Sequence, residues 1–110
     1  MAVTRSAKKL AQSALGTEAA AVYTSPANTV TQVTEIWLAN TNTTTARKVA
    51  IYAHGTAAGN TLIPELEIPA KGTKIVNAKI VLAAAEVFSA KQDTGTDVII
   101  TAYGVQEVTS

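Results

Sequence analysis

His54, the only histidine in the chain, is the first residue to consider for catalysis or metal binding. A nucleophilic triad would use it as the general base, and an imidazole metal site would use it as a ligand. The residues before it alternate in polarity, so His54 falls on the polar side of a strand with Lys48 and Tyr52. The sequence contains no glycine-flanked serine turn that would present a nucleophile to it. We therefore interpret His54 as a surface histidine without a catalytic role.

Carboxylates form two further patterns that could hold a ligand. The run Asp-Thr-Gly-Thr-Asp at 93–97 resembles the start of a calcium loop but lacks the bidentate Glu of the full pattern. Glu65 and Glu67 share one face of a strand, whereas the two carboxylates of a glycosidase face each other across a cleft. The chain has no cysteine that could bind a metal or form a disulfide. The sequence thus predicts a hairpin turn at 93–97 and no catalytic residue, metal or cofactor.

Composition limits the classes of partner. The net charge of +1 gives no overall field that would attract nucleic acid or an anionic membrane. No apolar run approaches the roughly 20 residues of a membrane helix. The basic N-terminal residues are not followed by the apolar segment of a secretory signal. Charged residues make up only 15% of the chain, against about a quarter in typical soluble domains. Such a chain is expected to hide part of its surface against protein neighbours.

β-Branched residues indicate the fold class. The 17 Thr, 11 Val and 8 Ile make up about a third of the chain, and their side chains pack well on pleated sheets. Apolar runs of strand length alternate with turn residues, which favours one antiparallel all-β sandwich over residues 17–110, jelly-roll or immunoglobulin-like. The predicted strands are Glu18–Thr24, Thr29–Asn40, Arg47–His54, Leu62–Ile68, Thr73–Val76, Ile80–Leu82, Val87–Lys91 and Asp97–Val108.

Two of these strands indicate which side chains face the core. In the strand that ends at His54, the apolar side chains share one face by simple alternation. In the next strand, Pro64 indicates a sheet edge or a bulge, because proline cannot donate to a ladder. The residues expected to face inward are Val49, Ile51 and Ala53 in the first strand, and Leu62, Leu66 and Ile68 in the second.

Residues 1–16 differ from the rest and are predicted to form a short N-terminal arm. Ser6 is a plausible N-cap and Gly16 a C-terminal stop, so the segment between them is predicted to be a short helix. Its apolar stripe consists of Leu10, Ala11, Ala14 and Leu15. An isolated helix of this length is marginal in water, so the arm is expected to be ordered only against a partner. Its basic residues, Arg5, Lys8 and Lys9, form either a solvated tail or a contact with an acidic neighbour or packaged nucleic acid.

Aromatic residues supply the other interface candidates. Trp37 points away from its neighbours Ile36 and Leu38, so it occupies either a second core layer or the centre of an interface. The stretch Val98–Val105 is apolar on both faces, as in a covered central strand or an interface, and it contains Tyr103. Tyr52, on the polar side of its strand, is a further candidate. Stacking of a sugar on Trp37 or Tyr52 is the alternative interpretation.

Several turn and strand patterns resemble small β-sandwich modules of tailed bacteriophages, which occur as separate virion proteins and within tail fibres or baseplates. The resemblance spans roughly residues 15–108. Its patterns are structural and therefore transfer no catalytic or binding residues. They are Val22 to Thr29 (VYTSPANT), Ile36 to Thr41 (IWLANT), Asn60 to Pro64 (NTLIP), Ile68 to Ala70 (IPA) and Val105.

This resemblance implies a virion structural protein, made in the host cytoplasm and assembled as a cyclic oligomer, commonly a trimer. The leading hypothesis is a capsid decoration (cement) protein that binds the major capsid protein and stabilises neighbouring subunits. A tail, neck or baseplate component is the first alternative, and a carbohydrate-binding or receptor-binding module is the second. Nucleic acid and membrane are not expected partners.

Overall fold

The computed structural model describes residues 3–109, which form eight β-strands and one 3₁₀ turn at Ala58–Asn60. Residues 1 and 2 of the predicted arm and residue 110 of the predicted sandwich lie outside the described residues. The strands are β1 (Val3–Ala14), β2 (Ala20–Thr24), β3 (Thr29–Asn40), β4 (Arg47–Ala53), β5 (Thr61–Ile68), β6 (Thr73–Leu82), β7 (Val87–Gln92) and β8 (Val98–Thr109).

The strands form two four-stranded antiparallel sheets, in the orders β1-β8-β3-β6 and β2-β7-β4-β5. Each odd-numbered strand lies in the opposite sheet from the even-numbered strand that follows it. This order is the jelly-roll topology, in which two Greek keys build a double sheet. The predicted all-β sandwich is confirmed, and the strand order selects the jelly roll over the immunoglobulin-like alternative.

Alternation of side chains builds the core between the sheets. In β3 the predicted bounds are met at both ends, and Val33, Ile36 and Leu38 are fully buried. From the second sheet, Ile51 and Phe88 meet them, and Phe88 is the largest fully buried side chain. Because each sheet has one inner face only, every second residue of a central strand faces out of the sandwich.

The predicted N-terminal helix is wrong. Residues 3–14 form the strand β1, which pairs antiparallel with β8 from Val3–Thr109 to Ala14–Ile99. The strand forms because β8 offers it a full ladder of backbone partners, which a short isolated helix does not have. A bulge between Lys9 and Ala11 turns Leu10 toward the core, and Leu15 is only 3% exposed. The two leucines of the predicted arm therefore contact the chain's own core.

Two smaller differences from the sequence prediction concern β5 and β6. Val49 pairs with Leu66 and Ile51 with Ile63, so β5 carries one extra residue near Pro64, at the edge of its sheet. That bulge reverses the phase of β5: Ile63 faces the core, whereas Leu62, predicted to face inward, is 52% exposed. The two strands predicted at Thr73–Val76 and Ile80–Leu82 are one strand, β6.

Gly104 lies where three strands of the first sheet come closest together. It pairs with Lys8 of β1 and Val33 of β3. A Cβ at this position would lie 2.0 Å from the carbonyl oxygen of Gln32 and 2.8 Å from Cδ1 of Leu10. The backbone oxygen cannot yield as a flexible side chain could, so only glycine fits.

We predict that Gly104→Ala lowers the free energy of unfolding by about 1–3 kcal/mol or more, because an overpacked site must shift its neighbours. Gly16→Ala is the matched control, since a Cβ at Gly16 meets no atom within 4 Å. It should change stability by no more than about 0.5 kcal/mol. Urea denaturation of both variants measures the difference, and equal midpoints would contradict the close approach.

The division into an arm at 1–16 and a sandwich at 17–110 stays a prediction, and deletion of residues 1–16 tests it. Because Leu15 is buried and β1 pairs along β8, we expect the shortened chain to lose at least the value of one buried Leu, about 1.5–3 kcal/mol. Thermal unfolding followed by circular dichroism measures the loss. An unchanged melting temperature would instead support a separable arm.

Candidate interaction surface

His54 lies on the surface in a hydrogen-bonded pair with Glu86. Its Nδ1 is 3.1 Å from Oε2 of Glu86, and both side chains are almost half exposed. The backbone N–H of Ala83, at 2.7 Å, and the hydrogen bond with His54 hold the pKa of Glu86 below its usual value. No hydroxyl bonds to His54 among the hydrogen bonds of the described residues. The pair therefore fixes the loop before β7 to the end of β4.

The Asp93–Asp97 segment is not the predicted hairpin turn, because it joins β7 to β8 in the opposite sheet. The carboxylate of its last residue is engaged by Asn42 and by Arg47 at the start of β4. Oδ2 of Asp97 accepts hydrogen bonds from Nδ2 of Asn42 at 3.1 Å and Nε of Arg47 at 2.9 Å. These two bonds hold the pKa of Asp97 below its usual value. Over residues 3–109, no group of three or more His, Cys, Asp or Glu side chains could hold a metal ion.

The outward-facing side of the β1-β8-β3-β6 sheet, termed here the outer face, carries most of the exposed apolar side chains. Cross-strand pairs place its residues in rows. One row runs from Gln12 through Thr101 and Trp37 to Ile75. Six of the eight large hydrophobic side chains that are exposed in residues 3–109 lie on this face: Val3, Val30, Trp37, Ile75, Val81 and Tyr103.

Trp37 and Tyr103 border a shallow depression of about 460 Å³ on the outer face. Trp37 is 39% exposed and Tyr103 is 41% exposed. Ala39, Ile99 and Thr101 of the two central strands also line it. A side chain of a partner could enter this depression beside Trp37, which is the type of residue most enriched among interface hot spots.

Charged side chains frame the apolar part of the outer face. Lys9 pairs across the strands with Tyr103, and Glu35 pairs with Tyr103 from the other side. The carboxylate of Glu35 accepts a hydrogen bond from the indole N–H of Trp37, which fixes the orientation of the indole. Near the end of the face, Nε of Arg5 lies 3.9 Å from Oε1 of Glu107.

Lys8, the third basic candidate, lies on the opposite side of β1. Its Nζ donates to Oε1 of Gln106 at 3.1 Å, and Gln106 in turn donates to the hydroxyl of Tyr23. The same hydroxyl is 3.1 Å from Oγ1 of Thr31. Lys8 thus ends a polar network that joins the two sheets, whereas Arg5 and Lys9 face outward.

The other aliphatic and aromatic candidates divide between core and surface. Leu15 is buried and Leu10 packs against the core. Tyr52 faces away from the core, as alternation predicts, but it is only 7% exposed rather than open to solvent. The outer face therefore brings together Arg5, Lys9, Trp37 and Tyr103. Sequence reasoning did not select Val30, Ile75 and Val81, although their alternation with buried residues of β3 and β6 could have identified them.

The outward side of the other sheet has a different character. Ala50, Tyr52 and Ser89 are all nearly buried there, and the hydroxyl of Ser89 has no hydrogen-bond partner within residues 3–109. The groove beside them, about 220 Å³, is lined mainly by polar side chains, among them Lys48, Glu65, Lys91 and Asp93. Exposed apolar surface is thus concentrated on one side of the sandwich.

No family model matches the sequence, and no curated protein matches it. Solved structures match the fold. A chain in the acidic stable capsid structure of Helicobacter pylori bacteriophage KHP30 gives a TM-score of 0.57 at 11% identity, covering 99% of this chain and 95% of that one. A chain in the virus-like particle of extra small virus (XSV) of the giant freshwater prawn Macrobrachium rosenbergii gives 0.55 at 9% identity, covering 100% and 82%.

A third structure, of the disulfide-linked pili that form Bacillus endospore appendages, gives a TM-score of 0.55 at 9% identity over 98% of this chain and 89% of that chain. At such low identity these matches establish the fold alone. The class is therefore an eight-stranded β-sandwich shared with chains of viral capsids and of a pilus. Within residues 3–109, no helix is long and apolar enough to cross a membrane.

The lowered pKa of Asp97 predicts a pH dependence of stability. A carboxyl whose pKa is lower in the folded state stabilises the fold above its unfolded pKa of about 3.9, and this contribution is lost as pH falls through the folded pKa. Asp97→Asn should therefore be less stable than the parent at neutral pH, and the gap should narrow below about pH 4. Urea midpoints across the acid range measure it. A gap that stays constant with pH would contradict the assignment.

Proposed function

We propose that this protein is a virion structural subunit, most specifically a capsid decoration protein that binds and stabilises neighbouring capsid subunits. The observation that carries the proposal is the outer face: a two-layer sandwich that leaves Trp37, Tyr103, Ile75 and Val81 exposed on one side. A monomer that remained alone in water would gain nothing from this concentration of apolar side chains, whereas a subunit of an assembly buries it.

The fold supports this proposal. Chains in a phage capsid and in a virus-like particle superpose on nearly the whole of this sandwich. The pilus comparison supports assembly into polymers equally well. However, the chain has no cysteine, so cross-links of the disulfide-linked type cannot form between its copies. A capsid role is therefore favoured over that of a disulfide-linked pilus subunit.

The partners proposed for this role are the major capsid protein and other copies of this chain. On the outer face, Arg5 and Lys9 offer positive charge at the margin of the apolar patch, which suits an acidic rim on the neighbour. A tail, neck or baseplate position uses the same surface and is the alternative location.

A carbohydrate-binding function is a second candidate, favoured by the depression between Trp37 and Tyr103. Sugars stack on exposed aromatic rings, and the amide of Gln12 lines the same depression. This amide already donates to Oγ1 of Thr101 at 3.0 Å, which leaves its oxygen to accept from a ligand or from Lys9. A glycan array probed with the intact chain tests it: binding that is lost on Trp37→Ala would support this function, and an array without hits would remove it.

We predict that particles purified from the virus whose genome encodes this chain contain it in many copies. Immuno-electron microscopy with an antibody against the chain should label the head if it is a decoration protein. Labelling of the tail would support the alternative location. Absence of the chain from purified particles, shown by mass spectrometry, would contradict a virion role altogether.

A further inference from the structure

The edges of the β1-β8-β3-β6 sheet are poorly suited to pairing with another chain. The edge strand β1 carries Arg5, Lys8 and Lys9 and is interrupted by the bulge at Leu10. The other edge strand, β6, carries two lysines as well, Lys74 and Lys79. Lysine side chains and bulges are the usual devices that prevent edge-to-edge association. The outer face, rather than an edge, is therefore the surface available for a partner.

The outer face has matching residues on the two sides of β8. Strands β1 and β3 flank β8 at about 4.8 Å each. In one row, Lys9 lies on one side of Tyr103 and Glu35 lies on the other. Because two strand spacings separate Lys9 from Glu35, the two charges do not pair within one chain. A two-fold rotation about an axis along β8 exchanges their positions.

The neighbouring rows repeat this arrangement. Gln12 and Trp37 lie on either side of Thr101, so the same rotation places Trp37 over the Gln12 side of the depression. In the row beyond, Ala14 and Ala39 flank Ile99, so the rotation places one small side chain opposite another. The exchange of Lys9 with Glu35 is complementary in charge, and that of Ala14 with Ala39 is complementary in size, as a two-fold interface demands of a single surface.

We propose that the outer face binds the outer face of a second copy of this chain, with the two-fold axis running along β8. The inference rests on the proposed function and names one partner of that surface. In the pair, Lys9 of each copy faces Glu35 of the other, and each Trp37 enters the partner's depression. The apolar ridge of β8, which includes Ile99, Tyr103 and Val105, lies at the centre.

The size of the face sets the strength of the pair. Three strands about 4.8 Å apart and about ten residues long, at about 3.3 Å per residue, cover about 500 Å² on each copy. The total of about 1,000 Å² is the lower limit for a specific interface. The free protein should therefore pair weakly and reversibly, at micromolar concentration or above.

Two charge-reversal variants, Lys9→Glu and Glu35→Lys, test the geometry. Each variant alone places like charges opposite each other twice and should sediment as a monomer where the parent forms pairs. Mixed in equimolar amounts, the two variants restore both ion pairs, so a heterodimer should appear in sedimentation velocity. The favourable contacts form only between unlike variants, and two variants cannot alternate around a ring of three. The mixture therefore also distinguishes a pair from a trimer. Two variants that pair as well as the parent, or a mixture that stays monomeric, would overturn the proposal.

Trp37→Ala tests the apolar part of the same interface, with Leu62→Ala as the matched control. Leu62 is exposed to a similar degree but lies on the other sheet. Loss of Trp37 should raise the dissociation constant of the pair by about tenfold or more, and loss of Leu62 should leave it unchanged. Circular dichroism spectra like that of the parent show that each variant is folded.

Different results would contradict the proposed virion role and the proposed pair. A parent chain that remains monomeric at high micromolar concentration but is recovered in purified particles would overturn the pair and leave the virion role intact. A chain that forms the pair but is missing from particles would support the interface and overturn the virion role.

Discussion

The position of β8 between β1 and β3 is the constraint on which the rest of the structure depends. All three strands must approach closely at Gly104, where a single added carbon would meet the carbonyl of Gln32. The missing side chain at Gly104 leaves room for Leu10, which the bulge in β1 turns toward the core. It also presents the alternate residues of β8 to the outside, since a central strand of a two-layer sandwich has one face without a covering layer. The core and the outer face thus come from the same strand.

Much of this architecture could be predicted from the sequence. Alternation around Trp37 indicated the inward direction of Ile36 and Leu38, and turn residues gave the bounds of β3 and separated most strands. The failures share a physical cause. The segment at 3–14 has helical caps and a helical stripe, but its conformation is decided by a ladder with β8, about 90 residues away in sequence. Leu62 was misplaced because a bulge reverses the phase of β5, and simple alternation cannot show an extra residue.

The two aromatic residues of the candidate surface could be predicted from the sequence, whereas the full set of residues on that surface could not. Trp37 and Tyr103 stood out by residue type, and the structure places them in neighbouring rows. Alternation could have identified Ile75 and Val81 as outward-facing, but the pairing of β6 with β3, which places them on the same face as Trp37, is not visible in the local sequence. Tyr52 is nearly buried and lies on the other sheet, so the structure does not place it with these residues. The two sides of the sandwich consequently differ: one carries most of the exposed apolar side chains, whereas the groove on the other is lined mainly by polar ones.

The central claim is that the outer face, which contains Trp37, binds the same face of a second copy of this chain. Because Trp37 is the only tryptophan, its fluorescence reports directly on whether that face is covered. The decisive measurement is the emission maximum of the intact chain over a concentration series that spans the micromolar range. The account predicts a shift to shorter wavelength as concentration rises, as the indole loses water to a second copy. An emission maximum that stays that of a partly exposed indole at every concentration would contradict it.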